Sequence, residues 1–101
     1  ALAMIGDKVT ATDALQMGMI YKISADENLQ AEAFQLAETL ANMPTVGLGL
    51  TKKLYNQGAN NSLEEQLRAE GVEQIKAAST HDYNEGVQAF LEKRKPVFKG
   101  K

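Results

Sequence analysis

Residues 79–98 read STHDYNEGVQAFLEKRKPVF. Ser79 or Thr80 suits a helix N-cap, because a short hydroxyl side chain can accept a hydrogen bond from an amide of the first turn. Val87, Phe90 and Leu91 then recur at the three-and-four spacing that gathers apolar side chains on one stripe of a helix. Pro96 is the expected stop, since proline donates no backbone hydrogen bond and disfavours helical geometry in the residue before it. The stretch predicts a final helix with Val87, Phe90 and Leu91 turned inward. Phe90 and Lys93, three positions apart, are neighbours on such a helix, a flat apolar ring beside a cation. That pairing suits an adenine base with a phosphate nearby; on spacing alone, the ordinary reading of Phe90 as core and Lys93 as solvated is favoured.

Upstream, the same punctuation recurs. Ser62 and Glu65 in NNSLEEQLRAEGVEQIKAAST form a capping box, opening a helix with Leu63, Leu67 and Ile75 inward. In TVGLGLTKKLYNQGANN, Val46, Leu50 and Leu54 share one side of a helix that runs from Pro44 to near Gly58. Gly47 and Gly49 each weaken that helix by about 1 kcal/mol relative to alanine, which predicts close packing at both. In ADENLQAEAFQLAETLANMP, Leu29, Ala33, Leu36, Ala37, Leu40 and Ala41 make another single stripe, started by Asp26 and Glu27 and stopped by Pro44. Thr10 caps a short helix over 11–17, with Asp13 in its first turn and Gly18 at its end. MIYKI, residues 19–23, alternates Met19, Tyr21 and Ile23, which suits a short strand or an extended link. ALAMIGD reads as the end of a helix already under way, as expected of a piece of a longer chain. The fold class is mainly α, with four or five helices and at most one short strand.

Composition bounds the function. The chain has 101 residues, the size of one domain, and 44% hydrophobic content, normal for a globular fold. It has no cysteine, so disulfides, thiolate metal sites and cysteine nucleophiles are excluded. No apolar run approaches the roughly 20 residues of a membrane helix, and no signal-peptide pattern opens the sequence. The cytoplasm is the expected setting. Five of the eleven basic residues lie from Lys93 onward with no acidic ones, leaving six against thirteen acidic over residues 1–92, a balance of −7. The body is acidic and the end basic, which argues against nucleic acid as a partner, since such binders usually spread positive charge along a whole face.

Other candidates fall to bland readings. GLGLTKK lacks the glycine that must precede lysine in a phosphate loop, and Lys52 stands where the third glycine of a dinucleotide motif belongs. His81 is the only histidine, so a multi-histidine metal site is impossible; it reads as an exposed first-turn residue. Glu64, Glu65, Glu70 and Glu73 read as a solvated face, because acid and base catalysis would need a cleft holding two of them together. Met4, Met17, Met19 and Met43 read as core filler.

Taken together, GDKVTATDALQMGMIYKIS, LAETLANMPTVGLGLTKKLYN, SLEEQLRAE and STHDYNEGVQAFLEKRKPVFKGK resemble the C-terminal part of the enoyl-CoA hydratase/isomerase, or crotonase, family. The resemblance covers essentially all of the chain, residues 1–101, as the helical oligomerisation and CoA-capping region of the crotonase fold. In that family an N-terminal spiral of ββα units supplies two backbone N–H groups for the thioester oxyanion and the acidic residues that move protons. The matching positions fall outside this sequence, so no catalytic residue, no metal ligand and no cofactor other than a CoA thioester substrate is expected here. The resemblance implies a homo-oligomer, trimer or hexamer. It also implies that Phe90 lines the adenine pocket and that Lys93 meets the 3′-phosphate of CoA, with Arg94, Lys95 and Lys99 adding electrostatic steering. The alternative function is a free-standing helical CoA-binding or protein-interaction module without chemistry of its own.

Overall fold

The computed structural model describes residues 2–101. These fold into two compact units, Ala1–Gln35 and Leu36–Lys101. Six helices follow in order, α1 Leu2–Ile5, α2 Ala11–Gln16, α3 Leu29–Ala41, α4 Thr45–Gly58, α5 Leu63–Ala78 and α6 His81–Leu91. The mainly α expectation holds, and the two short N-terminal helices bring the number to six.

In the first unit, Thr10 accepts from the Asp13 amide at 3.1 Å and so caps α2. Gly18 ends it, at φ 72°, with its amide on Leu15 O and the Met19 amide on Ala14 O. That pair of bonds is a Schellman closure, which needs a left-handed residue and so favours glycine. Residues 19–23 are not a strand. Their alternation was legible, but a strand needs a ladder partner, and no strand exists among the described residues to supply one. The segment is instead tied by its polar side chains, with Lys22 at 2.6 Å from Glu32 and the Ser24 hydroxyl donating to the same carboxylate at 2.6 Å. Glu32 lies in the first turn of α3, which begins at Leu29 rather than at Asp26.

In the second unit, α4 packs on α5 and α5 on α6. Pro44 occupies the N-cap position of α4, where its missing N–H costs nothing. The Ser62 capping box is complete: Ser62 Oγ accepts from the Glu65 amide at 3.3 Å, and Glu65 accepts from the Ser62 amide at 2.7 Å. Ser62→Ala is expected to cost about 1 kcal/mol of stability, read as a lower urea midpoint; an unchanged midpoint would mean that α5 is held by packing alone.

The stripes are where the inward expectations fail. Leu63, Leu67, Ile75, Val87, Phe90 and Leu91 are all exposed, as are Met4, Met17, Met19 and Met43. Among the described residues Ala89 is the one buried apolar side chain. A Cβ placed on Gly47 or Gly49 would meet nothing within 4 Å, so neither glycine is explained by close packing in this chain. The cause is a shortage of covering elements rather than a wrong periodicity. The chain exposes 8418 Å², whereas two separate folded bodies of 35 and 66 residues would expose roughly 6,700 Å². Clustered exposed apolar side chains such as these are characteristic of surfaces that meet other protein.

Glu73 departs from the solvated-face reading as well. It is 5% exposed, with Oε1 accepting from Lys53 at 2.7 Å and from Lys76 at 2.9 Å. The two ammonium groups hold its carboxyl below the usual glutamate range against the opposing effect of burial. This bridge fastens α4 to α5.

Candidate functional site

The predicted site residues lie at the C-terminal end of α6. The helix stops at Leu91, well before Pro96, because Lys93 turns into the left-handed conformation at φ 55°. The Lys93 amide reaches Phe90 O at 3.3 Å and the Arg94 amide reaches Ala89 O at 3.0 Å, the same Schellman closure that Gly18 makes for α2. A lysine in place of glycine at this position costs about 1–2 kcal/mol. Lys93 is the only non-glycine residue with positive φ among those described, and such outliers cluster at functional sites.

Phe90 projects from the turn before. It is 83% exposed and lines an apolar groove of about 430 Å³ with Pro44, Gly47, Tyr83, Gly86, Val87, Leu91 and Phe98. Phe90 stands on a wall of the groove, and Lys93 lies in the turn that follows the helix. A groove of this character can hold a flat heteroaromatic ring by stacking and dispersion. The reading of Phe90 as core fails and that of Lys93 as exposed holds.

Beyond the turn the basic segment is not a loose tail. It runs back along α6 and is fastened there by two acidic residues that sequence reasoning passed over. Asp82 is 1% exposed. Its carboxylate accepts from the Lys99 amide at 2.7 Å and from the Gly100 amide at 2.8 Å, while its own amide donates to Lys101 O at 3.0 Å. Burial pushes this carboxyl up, but the two amides and His81 outweigh it and the net direction is downward. Gly100 has φ 70°, and a Cβ there would sit 2.7 Å from Thr45 Oγ1, so the closing residue must be glycine.

Glu85 is the second fastening. Arg94 grips it with both terminal nitrogens, at 2.5 and 2.9 Å, and the Val97 amide donates to it at 2.8 Å. Arg94 Nε also donates to Glu92 at 2.6 Å. Arg94 is therefore neutralised twice over and cannot steer an anion, in contrast to the sequence expectation. Among the described residues no carboxylate pairs with Lys93, Lys95, Lys99 or Lys101, so these lysines carry the free positive charge. An anion at the end of a helix faces the negative pole of its dipole, worth about 0.3–1 kcal/mol against binding. The lysines must exceed that.

The Arg94 guanidinium, then the Val97 amide, hold Glu85 from its ordinary 4.5 down to about 2. A carboxyl with a lowered folded value stabilises the fold fully above its unfolded value, and that contribution is lost as pH falls through the folded value. The C-terminal segment is expected to detach between pH 4.5 and about 2. Amide chemical shifts of Val97, Lys99 and Gly100 followed through acid titration would check this; constancy of the Val97 shift down to the lower limit would contradict it. His81, whose Nδ1 lies 3.3 Å from Asp82 Oδ1, is the half-exposed first-turn residue the sequence suggested. No group of ligating side chains among the described residues is placed to hold a metal, and no helix among them is long and apolar enough to cross a membrane.

Comparison with known proteins bears directly on this arrangement. The chain is 46% identical over 100 residues to 1,2-epoxyphenylacetyl-CoA isomerase of Escherichia coli strain K12, covering 99% of this chain and 38% of that one. It is 35% identical over 100 residues to a probable enoyl-CoA hydratase of Rhodobacter capsulatus, covering 99% and 39%. Among solved structures, an enoyl-CoA hydratase from Polaromonas sp. JS666 superposes with a TM-score of 0.89 at 27% identity, over 95% of this chain and 37% of that one. The chain thus spans under two-fifths of the length of these relatives. The family description "Enoyl-CoA hydratase/isomerase" matches residues 1–101. On a match that runs from one end of the sequence to the other, the chain belongs to the enoyl-CoA hydratase/isomerase family.

Proposed function

We propose that this chain is the helical, assembly-forming region of an acyl-CoA isomerase, of the ring-1,2-epoxyphenylacetyl-CoA isomerase type that serves phenylacetate breakdown, and that the end of α6 caps the adenosine end of CoA. The observation that carries the proposal is the placing of Phe90 on the wall of an apolar groove, three residues before an unpaired lysine held in a left-handed turn. In this reading Phe90 lines the adenine pocket and Lys93 meets the 3′-phosphate. The 46% identity to the E. coli isomerase supports the choice of reaction over hydration of an enoyl-CoA.

Assembly into a trimer or hexamer rests on the uncovered stripes of α5 and α6. Their leucine, isoleucine and phenylalanine side chains need a cover that the described residues do not provide, and a second copy together with the rest of the fold would provide it. The chain's part in the reaction is to bind and orient. The reacting thioester carbonyl would be held elsewhere, and holding the distant end of CoA fixes where the acyl group can lie.

The test uses the natural polypeptide that carries these residues. CoA and dephospho-CoA, which lacks the 3′-phosphate, are titrated into wild type and Lys93→Ala at low salt. Wild type should prefer CoA by about tenfold, the size of one exposed charge-assisted contact, and Lys93→Ala should lose that preference. Equal preference in the two proteins would remove Lys93 from the site.

A further inference from the structure

We infer that Glu85 is a positioning residue for the CoA-capping turn, holding Lys93 in the left-handed backbone conformation that ends α6. The inference rests on the CoA reading above and adds a residue to it that makes no contact with the ligand.

Two backbone bonds close the turn, from the Lys93 amide to Phe90 O and from the Arg94 amide to Ala89 O, and they act against strain. Lys93 occupies a left-handed conformation unfavourable to any residue with a Cβ, and Pro96, three residues on, has no amide to donate. Without a further tie, Lys93 would relieve its strain by returning to right-handed geometry and extending α6, and the change in φ would swing its side chain about its own N–Cα bond. Glu85 opposes that return by holding the chain that leaves the turn. Through Arg94 it holds the residue immediately after Lys93, and through the Val97 amide it holds the residue immediately after Pro96. Its side chain is 16% exposed, so these bonds form where water competes weakly. The bidentate geometry fixes direction as well as distance.

The experiment is again titration of the natural polypeptide with CoA and dephospho-CoA, in wild type, Lys93→Ala, Glu85→Ala and Glu85→Gln. Glu85→Ala should reduce the preference for CoA by about three- to tenfold while its affinity for dephospho-CoA stays within about twofold of wild type. Glu85→Gln keeps an acceptor for Val97 and one bond to Arg94, and should retain an intermediate preference. A merely structural role would weaken both ligands together, so an unchanged preference in Glu85→Ala, or an equal loss for the two ligands, overturns the inference. Should Glu85→Ala fail to fold, Glu85→Gln decides alone: a preference below wild type supports the inference and a wild-type preference overturns it. Should Lys93→Ala itself keep the preference for CoA, the capping reading fails, and Glu85 has nothing to position.

Discussion

Replacing Asp82 with alanine is expected to free residues 98–101 from α6, raising amide exchange at Lys99 and Gly100 on the order of a hundredfold. Both amides donate to this one carboxylate, and the substitution leaves them without an acceptor. The bond from the Asp82 amide to Lys101 O survives the change, and Glu85 still holds the Val97 amide, but the residues between these two bonds lose their own ties. Phe98 follows, because its ring rests 3.7 Å from where a Cβ of Gly86 would stand and is held there by the residues on either side. The loss of Phe98 opens one wall of the groove that Phe90 lines. Asp82→Asn discriminates between charge and geometry: one oxygen remains to accept, so one of the two amides should keep most of its protection. Unchanged exchange in Asp82→Ala would show that the segment is held by packing and that the buried carboxylate is incidental.

Lys93→Gly is expected to move stability and affinity in opposite directions. Relieving the left-handed strain is worth about 1–2 kcal/mol, and the greater freedom of glycine in the unfolded chain returns about 0.5–1 kcal/mol of it. A net gain of roughly 0.5–1 kcal/mol should appear in the urea midpoint. The affinity for CoA should fall about tenfold in the same protein, and the loss should shrink in high salt, where a single exposed charge is screened. Lys93→Ala removes the charge but leaves the strain, so it should bind as poorly as Lys93→Gly without the gain in stability. A residue retained at a cost to the fold, and needed for the ligand, is the pattern expected of function. If Lys93→Gly gained stability and still bound CoA as tightly as wild type, the lysine would be mere strain.

The elements were legible because their signals are local. Thr10, Ser62 with Glu65, and Thr80 each cap a helix within the few residues that define it, and the three-and-four spacing marks α3 to α6 without reference to anything distant. Burial was not legible, since the side that Val87 and Leu91 face depends on what covers it, and the described chain holds too little to cover it. The strand expected over 19–23 failed for the same reason. The latch was invisible for a different one. Asp82 to Gly100 spans 18 residues and Glu85 to Arg94 spans 9, separations at which no periodicity operates. Asp82 lies in the first turn of α6, where an acid has an ordinary local role in complementing the helix dipole. A signal was present all the same: two acids inside α6 with a basic run just beyond its end, joined by a turn short enough to bring them together. The basic ending proved to be an anchored strap, with its guanidinium spent on anchoring and its lysines left free.

The central claim is that the end of α6 holds the adenosine end of CoA. A crystal structure of the natural polypeptide with CoA bound tests it most directly. The account predicts the 3′-phosphate within about 3 Å of Lys93 Nζ, the adenine against Phe90, and Glu85 still clasping Arg94. Adenosine density elsewhere, with Lys93 in solvent and the groove beside Phe90 filled by protein, would contradict it.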